Sequence, residues 1–325
     1  MNDSTAAFAS AGDMQEQKAR VVQLSQNAYG FISDHDPNCG FVVGDNSVLV
    51  IDPRATPRMA RELKDAISSV TDKPVGYIFL SHYHAVRVLG ASVFAPAPII
   101  SSRATLSLVR ERGQADMDSE IGRFPRLFDG LEEIPGLTPP SITFESELSL
   151  WLGDTEVRFV HLGRGHSAGD SICWLPQQDV IFSGDLVENR CGVYMGDAYL
   201  QEWPRTLDKL RELDAKTMVP GRGAAMMSRK EISDAIASTQ DFISSILHAV
   251  RYGLSQGGGL RECYDIAERL LTPVFGDWPI YTHVLAFDVA RAYDELRGIE
   301  HPRIWTDERD QELWGILHGA KGVPA

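Results

Sequence analysis

The stretch His82-Tyr83-His84-Ala85-Val86-Arg87 decides how the rest of the chain is interpreted. It follows the apolar run 75–80, which is typical of a buried strand, and precedes the helix-like segment 88–94. In an extended segment, residues i and i+2 project from the same face, so His82 and His84 can present both imidazoles to one metal ion. The pair alone does not separate a metal site from histidines that only hydrogen-bond within a core.

Two further motifs favour the metal site. His166 lies in Gly165-His166-Ser167-Ala168-Gly169, and Asp185 ends Phe182-Ser183-Gly184-Asp185. Each motif lies beside a strand-like run. Together with His82 and His84, they place four candidate ligands at three strand ends.

The order of these motifs resembles the metallo-β-lactamase superfamily, a group that includes lactonases, glyoxalase II thioesterases and many other hydrolases. The family pattern is an apolar strand ending in Asp, then His-x-His-x-Asp-His, Gly-His-(Thr/Ser)-x-Gly, Ser-Gly-Asp and Pro-Gly-His-Gly. The matching segments of this chain, over about its first two-thirds, are 48–52, 82–87, 165–169, 183–185 and 220–223. The resemblance implies an α+β fold, a four-layer αββα sandwich of two sheets between helices.

The departures from the family pattern fall on one half of its two-metal site. By the resemblance, His82, His84 and His166 match the ligands of the first metal, and Asp185 matches the bridging carboxylate. At the second metal position, three family ligands are replaced: this chain has Val86 where the family has Asp, Arg87 where it has His, and Arg222 where it has the last His. Arginine stays protonated and does not bind metals. We therefore expect one ion, zinc, with Fe²⁺ or Mn²⁺ as alternatives.

The residues around this ion have expected roles. Zinc lowers the pKa of bound water, so a metal-bound hydroxide is the expected nucleophile, with Asp185 orienting it or carrying its proton. Arg87 and Arg222 replace the charge of the second ion and offer forked donors to an oxyanion, which predicts catalytic and substrate-binding roles and an anionic substrate. By the resemblance, Asp52 lies beneath the histidines and fixes a tautomer. Its local chemistry equally fits a cap of the turn before Pro53.

Three functions follow. The first is a mononuclear zinc hydrolase of a small anionic ester, lactone, thioester or amide. The second uses His82, His166 and Asp185 as a two-His, one-carboxylate face for iron, as in an oxygenase that resembles the persulfide dioxygenases of the superfamily. The third is a metal-free binding protein, in which Arg87 pairs with Asp185 or Glu188 and leaves an inactive site.

Composition limits the partners. The chain has 325 residues, 43% apolar content and a formal net charge of -14, which argues against nucleic acid or an anionic membrane as the main partner. The start shows no secretory signal, and no apolar run reaches membrane-spanning length. The four cysteines are scattered, which favours a reducing cytoplasm.

Three regions are predicted along the chain: a flexible leader (1–18), the metallo-β-lactamase-like domain (19–228) and a helical extension (229–325). Between the strands, apolar spacing predicts two separate helices at 104–112 and 119–128. The extension is predicted to form helices at 231–254, 260–271, 282–296 and 306–317. It either packs over the site, where His283 could reach it, or forms a homodimer contact.

Overall fold

The computed structural model describes residues 18–33 and 35–318, so the predicted leader lies outside the described residues except for Lys18. A seven-stranded sheet begins the fold, with its strands in chain order. Its first four strands pair antiparallel and its last four pair parallel. The strands are β1 (Arg20–Gln23), β2 (Ala28–Ile32), β3 (Cys39–Val43), β4 (Val48–Ile51), β5 (Val75–Phe79), β6 (Ile99–Ser102) and β7 (Ile142–Phe144).

A five-stranded sheet follows, in the order β12-β11-β10-β9-β8. Only β11 and β12 run parallel in this sheet; its other neighbours are antiparallel. The strands are β8 (Glu147–Leu152), β9 (Thr155–Val160), β10 (Ile172–Leu175), β11 (Val180–Phe182) and β12 (Thr217–Val219).

Helices cover the outer face of each sheet. The α-helices are α1 (Pro57–Ser68), α2 (Ala85–Val88), α3 (Arg103–Arg123), α4 (Trp203–Glu212), α5 (Arg229–Ser255), α6 (Leu260–Phe275), α7 (Tyr281–Leu296) and α8 (Asp307–His318). Short 3-10 helices span Leu89–Phe94, Pro125–Phe128, Leu131–Glu133, Pro176–Gln178 and Gly184–Leu186. None of the helices in the described part of the chain combines the length and apolar character needed to cross a bilayer.

The alternation of β4 shows how the layers form. Leu49 and Ile51 point into the cluster between the two sheets, whereas Val48 and Val50 belong to the cluster on the outer face beneath α1. A strand with apolar residues on both faces is buried on both sides, because its side chains alternate. The predicted four-layer sandwich with a C-terminal helical region is therefore confirmed.

The prediction of two helices between 104 and 128 is wrong, because α3 is one continuous helix and a 3-10 turn follows it. Its buried face carries charged residues at near-helical spacing: Arg112, Asp116, Glu120 and Arg123. Apolar periodicity cannot detect such a face. Burial is possible because each charge has a polar partner in a neighbouring segment.

The helical extension shares a core with the second sheet. Ile181 and Met218 of that sheet lie in one buried cluster with Ile236 and Ile243 of α5 and Leu285 of α7. The predicted helices of the extension form within a few residues of their expected bounds. The extension therefore packs onto the sandwich itself.

Candidate metal centre

The predicted ligands come together at one edge of the sandwich. In each sheet a pair of parallel strands ends there: β4 and β5 in the first sheet, β11 and β12 in the second. Asp52 follows β4, His82 and His84 follow β5, and Asp185 follows β11. Because the carboxyl ends of parallel strands lie at the same edge of a sheet, residues that follow these strands lie close together even when they are far apart in sequence. The loop between β9 and β10 supplies His166 to the same site.

Three imidazoles surround a common point. The ring centroids lie 5.0 Å apart for His82 and His84, 4.8 Å for His82 and His166, and 4.7 Å for His84 and His166. Asp185 Oδ2 lies 3.6 Å from His82 Nε2 and 3.7 Å from His166 Nε2. One ligand atom from each of the four residues lies within 4.8 Å of the other three, and all four residues are buried. The structure thus groups the four predicted ligands.

Ser81 sets the tautomer of His82. Its Oγ donates to Asp52 Oδ2 at 2.7 Å and lies 2.9 Å from His82 Nδ1. Because the hydroxyl proton is used on Asp52, the hydroxyl oxygen accepts from Nδ1–H, and Nε2 keeps its lone pair. Asp52 also accepts from the Ser81 amide at 2.8 Å and has a left-handed φ of 53°. Asp52 therefore contacts His82 through Ser81.

Asp197 holds His84. Its Oδ2 lies 3.2 Å from His84 Nε2, and its Oδ1 accepts from Arg112 at 3.1 Å. Burial alone would raise the pKa of Asp197, but the hydrogen bond from His84 and the charge of Arg112 lower it to about 2. With Nε2–H donated to this carboxylate, Nδ1 is the His84 atom with a lone pair for a metal.

The cluster fits a metal ion. The Nε2 atoms of His82 and His166 are buried and have no hydrogen-bond partner among the described residues. A buried polar atom without a partner is costly, and coordination would satisfy both atoms. Burial lowers the pKa of His82 well below its usual value, so its imidazole is in the neutral form that binds metals. Three nitrogens and one carboxylate suit zinc, and also iron or manganese.

The two arginines form ion pairs beside this cluster. Arg87 donates to Asp185 and to the carbonyls of Asn38 (2.5 Å) and Gly221 (2.8 Å), and its Nη1 lies 3.7 Å from Asp52. Arg222 Nη1 lies 3.2 Å from Glu188 Oε1 and 3.7 Å from Asp185 Oδ2, and the Arg222 amide also donates to Glu188. These two cations therefore face three buried carboxylates: Asp52, Asp185 and Glu188.

The charges in this network are strongly coupled. Burial opposes the ionisation of Asp185, but the charge of Arg87 holds its pKa well below the usual value. Burial and the charge of Asp185 raise the pKa of Glu188 to about 7, against the effect of Arg222. The close packing needs a glycine at 221, because a Cβ there would collide with the Asp185 carboxylate.

A small cavity lies between the cluster and the helices above it. It measures about 10 Å³, room for about one water molecule. His84, His166, Asp185 and Arg222 line it beside the cluster. The lining also includes Glu120, Arg123, Phe124, Tyr194, Ile280 and Val284. Since α7 begins directly after Ile280, the helical extension covers the site. His283 is not a lining residue; its ring packs on Phe124 with centroids 4.2 Å apart.

Sequence reasoning missed the residues that hold the ligand loop. Asp116 accepts from the Ala85 amide at 2.8 Å and Glu120 from the Val86 amide at 2.9 Å, which satisfies the first amides of α2. The four-residue spacing of Arg112, Asp116 and Glu120 was an available signal of one helical face. Asp197 carried no such signal, because nothing local marks it as a partner of His84.

Comparison with known proteins places these features in a family. The sequence model of the metallo-beta-lactamase superfamily matches residues 33–222. The type 2 metallo-beta-lactamase of Bacteroides fragilis is 23% identical over 218 residues, which cover 62% of this chain and 78% of that enzyme. The structure of a metallo-beta-lactamase from Pontibacter korlensis aligns with a TM-score of 0.56 and 20% identity, and covers 70% of this chain and 99% of its own.

Alkylsulfatases resemble a larger part of the fold. The sec-alkylsulfatase Pisa1 from Pseudomonas sp. aligns with a TM-score of 0.65 and 14% identity over 86% of this chain and 50% of its own. With that coverage, the likeness includes part of the helical extension. The linear primary-alkylsulfatase of Pseudomonas sp. (strain ATCC 19151) is 20% identical over 61% of this chain and 44% of its own length. Because the family model matches more than half of the sequence, the chain belongs to the metallo-beta-lactamase superfamily.

Proposed function

We propose that this protein is a mononuclear zinc-dependent hydrolase of a small anionic ester, lactone, thioester or amide. One observation carries the proposal: the unpartnered Nε2 atoms of His82 and His166 converge on Asp185, whereas Arg87 and Arg222 are already paired. Among the described residues of the site, the ring nitrogens without a hydrogen-bond partner belong to the histidines. That arrangement supports one ion held by His82, His84, His166 and Asp185.

The two oxygens of Asp185 have different tasks in this proposal. Arg87 holds Oδ1, and Oδ2 faces His82 and His166. Zinc bound there would supply Lewis acidity and lower the pKa of a coordinated water molecule. Asp185 Oδ2 is then the oxygen placed to orient the attacking water or accept its proton. Arg87 contributes by fixing the carboxylate.

Cationic groups around the cavity support an anionic substrate. Arg123 and Arg222 are among its lining residues, together with Glu120 and Asp185, and Arg222 lies beside Asp185. A guanidinium fork matches the oxygens of an anionic ester or of an oxyanion formed during attack. The alkylsulfatase relatives point the same way, because an alkyl sulfate is an anionic ester.

Metal analysis combined with turnover tests the proposal. We expect one zinc per chain in the purified protein, with hydrolysis of anionic esters and no oxygen consumption. Iron accompanied by oxygen uptake would replace hydrolysis with the oxygenase alternative. Failure to take up zinc, iron or manganese would instead support the metal-free binding protein. Two ions per chain would contradict the mononuclear site.

A further inference from the structure

The route from solvent to the metal cavity is narrow. Among the side chains that line the cavity, only Phe124 and Ile280 are partly exposed, and the others are buried. Phe124 caps the C-terminal end of α3, and Ile280 is the residue before α7. Phe124 and Ile280 are therefore the two lining residues that also reach solvent.

Ile280 adopts an unfavourable backbone conformation. Its φ is 58° and its ψ is 1°, the left-handed region, where a β-branched side chain is strongly disfavoured. Glycine or asparagine would adopt it more easily. Such strain persists only where the surroundings enforce it, and it is frequent at functional sites.

Neighbouring backbone contacts hold Ile280 in place. The Pro279 carbonyl accepts from the Gly192 amide at 2.8 Å, and the Tyr281 amide donates to the Trp278 carbonyl at 3.1 Å. Gly192 packs so closely that a Cβ there would lie 2.9 Å from the Tyr281 nitrogen. The chain on both sides of Ile280 is thus fixed, and its side chain is directed at the cavity.

Phe124, the other lining residue that reaches solvent, is tied to the extension. Its amide donates to the Glu120 carbonyl at 2.8 Å, which ends α3, and its ring packs on His283 of α7. Val86 and Val284 add further apolar surface to the lining of the cavity, which also includes Arg222. A molecule that entered past Phe124 and Ile280 would therefore contact apolar side chains before it reached the cluster.

We propose that Phe124 and Ile280 form a gate that controls access to the metal site, and that their bulk limits the width of the apolar group beside the scissile bond. The part concerning the scissile bond rests on the proposed hydrolase function. The part concerning access does not, because any reagent that reaches the histidines must pass the same opening.

Access is measured first, without turnover. In metal-free full-length protein, diethylpyrocarbonate modification of His166 is followed by peptide mass spectrometry for wild type, Phe124→Ala and Ile280→Gly. We expect modification of His166 to be at least ten times faster in both variants. His301, whose side chain is 60% exposed, is the internal control and should react at one rate in all proteins. Equal His166 rates in folded variants would overturn the gate.

Two further variants separate strain from bulk at position 280. Ile280→Asn accepts the left-handed backbone and keeps a side chain of similar length, whereas Ile280→Val keeps the strain and removes one methylene group. If bulk closes the gate, His166 should be modified at close to the wild-type rate in Ile280→Asn and much faster in Ile280→Gly. If His166 is modified as fast in Ile280→Asn as in Ile280→Gly, the bulk of residue 280 does not close the opening, and the gate proposal fails.

Selectivity is measured second, with the succinate half-esters of phenol and 1-naphthol as probes. We expect Phe124→Ala and Ile280→Gly to raise the naphthyl-to-phenyl ratio of kcat/KM at least tenfold. An unchanged ratio together with faster His166 modification would retain the access gate and reject its part in selectivity. Absence of hydrolysis in wild type would contradict the proposed function while the modification rates still decide the gate.

Discussion

The histidine half of the site (His82, His84 and His166) and the arginine half (Arg87 and Arg222) share Asp185 but follow opposite rules. The histidine half contains two ring nitrogens, Nε2 of His82 and Nε2 of His166, that have no hydrogen-bond partner among the described residues. In the arginine half, both terminal nitrogens of Arg87 and Nη1 of Arg222 have carboxylate or carbonyl partners. Unpartnered lone pairs indicate a binding site, and satisfied donors indicate a structural one.

The arginine half shows how a metal position can be replaced. Guanidinium groups restore positive charge but open no coordination position, so they neutralise carboxylates without binding water as an ion does. Such a buried network carries a large desolvation cost and becomes unstable when one partner is removed. The two halves should therefore respond differently to mutation: the histidine half in metal affinity, the arginine half in folding stability.

The largest expected effect is on metal binding in His82→Ala. Removal of a direct ligand should weaken zinc binding by more than about 100-fold, since even the groups that only orient ligands contribute about 10- to 100-fold. A competition titration against a chromophoric chelator measures it. His248→Ala is the control, because His248 is exposed on α5, and this variant should retain zinc. If His82→Ala still binds one zinc per chain at wild-type affinity, the histidine half is not the metal site.

The next effect is on stability in Arg87→Ala. The change leaves Asp185 and Asp52 buried without their main cation, and we expect a loss of about 3–5 kcal/mol in the free energy of unfolding. Urea denaturation of the metal-free protein measures the loss. Arg58→Ala is the control, because Arg58 pairs with three carboxylates on the exposed surface, where little change is expected. Equal effects for both arginines would remove the distinction between the two halves.

The fold and the grouping of the four candidate ligands were predictable because their signals are local. Each motif places one or two ligands within a few residues of a strand end, and the order of motifs fixes which ends meet. Partners from distant segments were not predictable. Arg87 reaches the backbone of Asn38 and Gly221, and no local pattern states which carbonyls a buried arginine meets. Its predicted role in substrate binding remains a prediction.

The position of the helical extension could not be predicted from the sequence either. Apolar periodicity tells which face of α7 is buried but not which surface it meets, so coverage of the site and a dimer contact fitted equally well. The structure assigns Ile280 and Val284 to the cavity wall. The left-handed backbone of Ile280 had no sequence signal, because isoleucine is among the residues least expected there.

A smaller effect is expected at Asp197, which contacts the histidine half through His84. Asp197→Asn keeps the shape of the side chain but removes the charge that stabilises Nε2–H donation. We expect zinc to bind about ten times more weakly, the lower end for a group that orients a ligand. Asp208→Asn on the exposed face of α4 is the matched control. If the metal-free protein loses stability while zinc affinity stays constant, Asp197 only supports the fold.

The smallest effect, and the finest test of the two halves, concerns the contact between Asp52, Ser81 and His82. Ser81→Ala removes only the hydroxyl that accepts from His82 Nδ1–H, so zinc affinity should fall by up to about tenfold while metal-free stability changes little. Asp52→Asn also removes the charge that lies 3.7 Å from Arg87, so it should lower both quantities. Chelator competition and urea denaturation, run on both variants, separate the outcomes. Should Ser81→Ala destabilise the metal-free protein as much as Asp52→Asn, the contact to the histidine would itself be structural, and the two halves would form one cooperative unit joined through Asp52.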